Sequence, residues 1–391
     1  MATNTAPVTP SVLRWARESV GASVDDSARR AGVSAESVLA WEDGTARPTL
    51  AKLRALAKLY QRPISVFFLN ESPRDFDAMR DFRRLPDVDS ELWSRGLHKA
   101  YRRAIEQQEV MQELLDADGE HVVAQVPRAA VDEDPDVVGA LARAALMVEL
   151  NRQFAWRDPN AALKGWIEAL EGVGVMVLRT SDVPTEEMRG FSLPGAVPVM
   201  MINAMDPPRA QVFTALHEFA HLMLHSEGLC DLVGPDSGDS ARFEPWCNAV
   251  AAAALMPRDD FLLGLGDDIA FAPAVWDEDV IGQLSDRWSV SREAIVRRLL
   301  TLGLVSQDIY RAKRDEYVAG YATWREEQRA ARRSKKGGPP PYRMAVRDRG
   351  RPYVREVLDA YQRNEMSAAS LSRLLSLRTR HIPALEKEVS T

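Results

Sequence analysis

Leu216-His217-Glu218-Phe219-Ala220-His221-Leu222-Met223-Leu224-His225 is the stretch around which the chain is organised. His217 and His221 are four residues apart, so on a helix both imidazoles leave the same face one turn apart, where two neutral nitrogens can hold one divalent metal. Glu218 stands beside them. A metal held by two histidines and a third ligand keeps a fourth position for water, whose pKa it lowers, and a neighbouring carboxylate takes the proton. Upstream, Val197-Pro198-Val199-Met200-Met201-Ile202-Asn203 reads as a strand, and Asp206-Pro207-Pro208 as an N-cap followed by proline in the first turn. Phe213, Leu216, Ala220 and Leu224 recur at helical spacing, which makes this helix a core element with one polar face.

A third ligand has to come from elsewhere, and Glu244 is the first choice. Glu244-Pro245-Trp246-Cys247-Asn248 opens an alanine-rich helix from Ala249 to Met256, stopped by Pro257. Small side chains there let another helix approach closely, and Glu244 and Asn248 share a face. His225 is two turns from His217, roughly 12 Å along the axis, too far to share a metal. Asp231, Asp236 and Cys247 are the remaining candidates.

The order of strand, H-E-x-x-H-x-x-x-H helix and E-x-x-x-N helix ending Leu255-Met256-Pro257 resembles the ImmA/IrrE family of metallopeptidases over residues 165–305. That resemblance implies Zn2+ as cofactor, with His217, His221 and Glu244 as its ligands and Glu218 as general base. It also implies a regulator of bacterial stress or mobile-element responses that acts by cutting a protein substrate, a repressor often itself of helix-turn-helix type. Cys247 departs from the pattern, since alanine is common there; little effect is expected.

Residues 11–69 show four or five short helices. Gly32 marks a tight turn between two of them, Val33 is an apolar pin, Ser34 an N-cap, and Leu50, Leu53, Leu56, Ala57 and Tyr60 repeat at helical spacing. The pattern A-x-x-A-G-V-S…W-E-x-G-x-x-x-P, carried by Ala28, Ala31, Gly32, Val33, Ser34, Trp41, Glu42, Gly44 and Pro48, resembles the repressor-like (XRE-type) helix-turn-helix. Arg29, Arg30, Ser34, Ser37, Arg47 and Lys52 are the candidate DNA contacts. Against them, the recognition helix opens Ala35-Glu36-Ser37 and the preceding helix Asp25-Asp26, acids that face phosphates unfavourably. If DNA is not the ligand, the module holds a protein partner or a second copy of itself. Ile64-Ser65-Val66-Phe67-Phe68-Leu69 should seal this small domain.

Between the two motifs, Asn70–Asp89 is charged and broken by prolines, a linker containing Arg83 and Arg84. Helices are expected at 90–117 with Leu92, Leu97, Ala100, Ala104, Met111 and Leu115 inward and His98 solvated, then at 134–149 with Val137, Leu141, Ala145 and Val148 on the buried face, and at 159–171. Strands follow at 173–178, 188–193 and 197–203. The 188–193 strand is the expected edge on which an extended substrate adds. Ser226–Phe243 reads as a lid or loop beside the cleft. The helix pair at 280–299 has helix-turn-helix spacing of its own and is taken as scaffold.

Length, at 391 residues, exceeds one ordinary domain. The expected layout is a helix-turn-helix domain at 1–70, a linker at 71–89, a helical connector at 90–164, a zincin-like metallopeptidase domain at 165–305 and a basic helical region at 306–391. The fold class is α+β: an all-α helix-turn-helix domain, a small sheet with the HExxH helix, and a mostly helical C-terminal region. A net charge of −7 hides ends of +3 (1–85) and +8 (306–391) around a middle of −18, which favours a protein substrate over nucleic acid at the metal site. The basic end, with Arg325, Arg329, Arg332, Arg333, Lys335 and Lys336 before a Gly-Pro break, could pair subunits as a homodimer or contact DNA. No apolar run nears the ~20 residues that span a bilayer, and Cys230 and Cys247 make no disulfide framework, so no membrane partner and a cytoplasmic location are expected. Two other readings remain open: a transcriptional regulator whose peptidase-like domain senses a ligand or metal without proteolysis, and the toxin-like half of a two-gene module.

Overall fold

The computed structural model describes residues 5–71 (except 19, 21, 61 and 63), 94–119 (except 118), 124–225 (except 157), 240–265, 276–320 (except 318) and 338–390. They divide into two compact units, Met1–Arg103 and Ala104–Thr391. The expected linker with Arg83 and Arg84, Leu92, residues 226–239 of the expected lid or loop with Cys230, Asp231 and Asp236, and the cationic run 325–336 all lie outside the described residues, and the last four residues of that expected loop, 240–243, are helical.

In the first unit, helices α1 (Pro10–Glu18), α2 (Val24–Ala31), α3 (Ala35–Glu42) and α4 (Leu50–Leu59) precede a 3-10 turn at Ile64–Phe68. Each start is written locally: the side chains of Ser23, Ser34 and Thr49 accept the backbone N–H three residues on, heading α2, α3 and α4. Gly32, at φ +62°, ends α2 in the left-handed region. Leu13, Val38, Leu53, Leu56, Tyr60 and Phe67 fill the core, while Phe68 and Leu69 stay exposed, so Phe67 with the partly buried Ile64 does the sealing. Glu42 is buried, and Arg17 offsets its desolvation with hydrogen bonds of 2.7 and 2.9 Å. Helix α5 (Arg95–Ala117) follows, its residues from Ala104 onward belonging to the second unit. His98 on it is half-buried rather than solvated; burial, aided by the charge of Arg102, pushes its pKa down to about 4.

In the second unit, α6 (Pro135–Ala145), α7 (Leu150–Ala155) and α8 (Pro159–Gly172) lead to strands β1 (Met176–Thr180), β2 (Gly190–Leu193) and β3 (Val199–Asn203). The sheet order is β1-β3-β2, with β1 parallel and β2 antiparallel to the central β3. All five residues of β3 are buried, as a middle strand requires. The first strand starts three residues later than its apolar run, because Val173-Gly174-Val175 forms the turn out of α8, with Gly174 at φ +88° and the Val175 N–H on Leu170 O. After the sheet come α9 (Pro208–His225), which packs on β2 and β3, then α10 (Ser240–Leu255), α11 (Arg258–Leu265), α12 (Glu278–Trp288) and α13 (Arg292–Thr301).

The buried face of α6 is not the expected one. Val137 and Leu141 are 63% and 40% exposed, and Val138, Gly139, Ala142 and Arg143 turn inward instead. The reason is α10, whose alanines leave room for a backbone: a Cβ on Gly139 would stand 2.6 Å from Ala253 Cβ. Close packing of small residues decided the face, and the larger apolar side chains were left outside. The buried C-terminal carbonyls of α10 and its following turn are then taken by side chains. Arg143 donates to Ala254 O at 2.7 Å, Gln153 to Leu255 O at 3.1 Å and Arg298 to Met256 O at 3.0 Å, which satisfies the acceptors that every helix end leaves over.

Helices α14 (Pro341–Arg349), α15 (Arg351–Gln362), α16 (Ala368–Leu374) and α17 (Ile382–Ser390) complete the unit. In β1 the Met176 N–H and Thr180 carbonyl are spent on residues flanking β3, so Val177 and Arg179 turn their backbone groups outward. Gly350, at φ +78°, lies against that outer edge; a Cβ there would be 3.1 Å from Val177 O. The Arg351 N–H donates to the Glu171 carboxylate at 3.2 Å, and Gln107 of α5 donates to Arg349 O at 3.2 Å. The basic end is thus packed onto the sheet in its described part, and one of the two sheet edges is covered by it.

Candidate metal centre

Helix α9 begins after Pro207, whose carbonyl accepts the Ala210 and Gln211 N–H groups; Asp206, the expected cap, lies one residue before the observed cap position and takes the Gln211 side chain on its own carbonyl. Phe219, Ala220 and Met223 anchor the helix in the core, which turns His217, Glu218 and His221 to one flank. Helix α10 starts at Ser240, a turn before the expected opening at Glu244, so Pro245 sits inside it. The proline removes one backbone bond, and the Asn248 side chain donates to Glu244 O at 2.8 Å on the same face.

These two helices bring three ligand atoms together. His217 Nε2 and His221 Nε2 are 3.1 Å apart; Glu244 Oε2 lies 3.3 Å from the first and Oε1 3.2 Å from the second. Among the described residues this is the group of His, Cys, Asp and Glu placed to hold a metal ion. Both imidazoles are nearly covered, whereas the Glu244 side chain is 45% exposed, so one side of the site opens to water.

Two imidazole nitrogens and a carboxylate aimed at one point, with lone pairs that only a shared proton or a cation can reconcile, fit a zinc-type ion with a fourth position free. Without an ion a proton does part of that work. Burial opposes charge on His221, yet hydrogen bonds with Cys247 and Glu244 outweigh it and hold its pKa well above the ordinary histidine value. Hydrogen bonds from both histidines hold Glu244 well below the usual carboxylate range.

Cys247, fully buried, touches His221 rather than joining the three ligands, and burial raises its thiol against the pull of that histidine. The side chain of His225 lies outside the described residues. Glu218, only 7% exposed, is not a ligand: its Oε2 accepts a hydrogen bond from Ser192 Oγ of β2 at 3.0 Å. Gly190, two residues back on the same strand face, leaves space for the carboxylate, since a Cβ there would meet Thr214 at 2.5 Å and Glu218 Oε1 at 3.2 Å. Sequence reading passed over Ser192 and Gly190; strand alternation puts them on one face, but which face meets α9 appears only with the helix in place.

Residues 171–300 match the peptidase family described as the IrrE N-terminal-like domain, and residues 11–65 match a helix-turn-helix domain. The chain carries a peptidase-like IrrE domain behind a helix-turn-helix domain. No curated protein matches it. The IrrE-type domain contains both site helices, the sheet and the scaffold pair α12–α13. Together the two domains make a DNA-binding regulator architecture with a peptidase-like module, and no described helix is long and apolar enough to cross a membrane.

Within the helix-turn-helix domain, Arg30 and Arg47 are exposed, and Arg29 reaches Asp26 at 2.5 Å. Ser34 Oγ caps the Ser37 N–H and lies 3.2 Å from Ser37 Oγ. Lys52 Nζ donates to Ala31 O at 2.5 Å and Gly32 O at 3.1 Å, so two of its three donors already cap α2. Glu36, on the open face of α3, has its pKa lowered by its own backbone N–H and the Ser34 hydroxyl.

Proposed function

We propose that the chain is a zinc-dependent endopeptidase that cleaves a cytoplasmic protein regulator, a repressor of helix-turn-helix type, in a bacterial stress or mobile-element response. The observation that carries this reading is Glu218, next in sequence to the ligand His217, hydrogen-bonded to the edge strand β2. The Asn203 N–H donates to Arg189 O, so in the antiparallel register the backbone groups of residues 189, 191 and 193 face β3 and those of Gly190 and Ser192 face away. Among the described residues no strand pairs with that side. An extended substrate adding there runs past Glu218 with its backbone held by Gly190 and Ser192.

His217, His221 and Glu244 would hold the zinc, which when bound supplies Lewis acidity to the scissile carbonyl and acidity to a water. Glu218 takes the proton of the attacking water at its carboxylate and returns it to the departing amine. Its burial against β2 keeps bulk solvent from competing for that proton. The helix-turn-helix domain brings the enzyme to its substrate or to the DNA the substrate occupies, with Arg29, Arg30, Ser34, Ser37, Arg47 and Lys52 as its contacts.

Labelling of new N-termini in cells expressing the wild-type chain or E218Q tests this directly. A terminus inside a helix-turn-helix repressor that appears only with the wild type supports the proposal. Equal gene regulation by both, with no Glu218-dependent terminus, replaces proteolysis by ligand or metal sensing.

A further inference from the structure

We propose that Ser192 is a positioning residue for Glu218, and that through it the strand that receives the substrate also sets the place of the general base. This rests on the peptidase reading of the same site. Ser192 occupies two roles at once by the geometry of β2: its backbone N–H and C=O face the open edge, and its Oγ donates to Glu218 Oε2 at 3.0 Å. A hydroxyl donated to one carboxylate oxygen restrains the rotation of the carboxylate and leaves both lone pairs of Oε1 free of that bond to take a proton.

Gly190 completes the seat by lacking a side chain. A Cβ there would press on Thr214 and on Oε1 itself, so the strand can approach α9 only with glycine at this position. Below the strand, Gln108 donates to Pro194 O at 3.0 Å and Val197 O at 2.8 Å, pinning the turn that leads from β2 to β3. Ser192 therefore sits on a braced strand, and a substrate that pairs with its backbone tightens the same residue that orients Glu218. Register on the edge and position of the base are coupled by one side chain.

Acetohydroxamate is a probe that needs no substrate, because it chelates zinc and passes a proton to the motif carboxylate. Its Kd for the zinc-loaded full chain is measured by calorimetry for the wild type, E218Q, and the isosteric pair S192T and S192V, which differ by one hydroxyl. E218Q should bind at least about tenfold more weakly, S192V about three- to tenfold more weakly, and S192T within about twofold of wild type, as expected for one hydrogen bond to a charged group. Zinc content and Tm should be equal in S192T and S192V. Equal Kd for S192T and S192V beside a weakened E218Q overturns the role of Ser192 and leaves Glu218 as base. Wild-type affinity in E218Q, or no affinity in the zinc-loaded wild type, overturns the peptidase reading and this proposal with it.

Discussion

Gly139 of α6 and Ala253 of α10 are in such close contact that any side chain on the first would overlap the second, and through this contact α6 sets where α10, and so Glu244, can lie. Replacing Gly139 by alanine adds helix propensity but drives a Cβ into Ala253 and the backbone of Ala254. The expected net effect is a loss of about 1–3 kcal/mol of stability, as for other overpacked sites. Denaturant unfolding measures it. Zinc affinity should fall in the same variant, because α10 must shift to accommodate the methyl group.

Zinc binding should release a proton. In the metal-free protein His221 holds its proton well above the ordinary histidine value, and Glu244 is ionised well below the ordinary carboxylate value. The stabilisation from His221 is present below its unfolded pKa of about 6.5 and is lost as pH rises through its raised folded value, while that from Glu244 is present above about 4.3 and is lost as pH falls through its lowered folded value. A metal must displace the His221 proton, so affinity should climb with pH until that group titrates. Calorimetry in buffers of different ionisation enthalpy should count about one proton released per zinc at neutral pH.

Sequence periodicity was enough to place the HExxH helix, because apolar positions at Leu216, Ala220 and Leu224 leave one flank polar whatever packs on the other. Glu244 was legible for a related reason, sharing a face with Asn248 at helical spacing. The face of α6 was not legible: Val137, Val138, Leu141 and Ala142 make both sides apolar, and the choice between them lay in the alanines of α10, over a hundred residues away. Ser192 was illegible because a single serine in a four-residue strand carries no pattern until the partner helix is in place. For the basic end, charge pointed outward, while Gly350 and Arg351 packed inward against β1 and Glu171.

Glu171 is the group most sensitive to pH in that packing. Burial pushes its pKa up to about 7, against the Arg351 N–H bond and the Arg351 charge. Since the unfolded chain releases this proton near the ordinary value of about 4.3 and the folded chain keeps it to about 7, stability should fall as pH rises through that window and level off above it. The loss amounts to at most about 4 kcal/mol. Glu171→Gln should remove this slope and melt above the wild type at pH 8, a comparison that thermal scans at pH 5 and pH 8 provide.

Gly350 makes a sharper test of the same contact. Any side chain at φ +78° is strained, and here it would also strike Val177 O. Gly350→Val should cost about 1–3 kcal/mol or more and loosen helices α14–α17 from β1. Limited proteolysis is the readout, with cleavage within 341–390 expected to accelerate while the zinc stoichiometry of the site is retained.

The carbonyl clamps at the end of α10 bear on how such a protein varies. Arg143, Gln153 and Arg298 each hold the helix that presents Glu244, yet none of them touches the metal ligands. A screen for variants that lose metal would therefore return positions 143, 153 and 298 along with 217, 221 and 244. On a linear map those first three would look like unrelated polar residues, although they act on the chemistry by fixing the length and tilt of one helix.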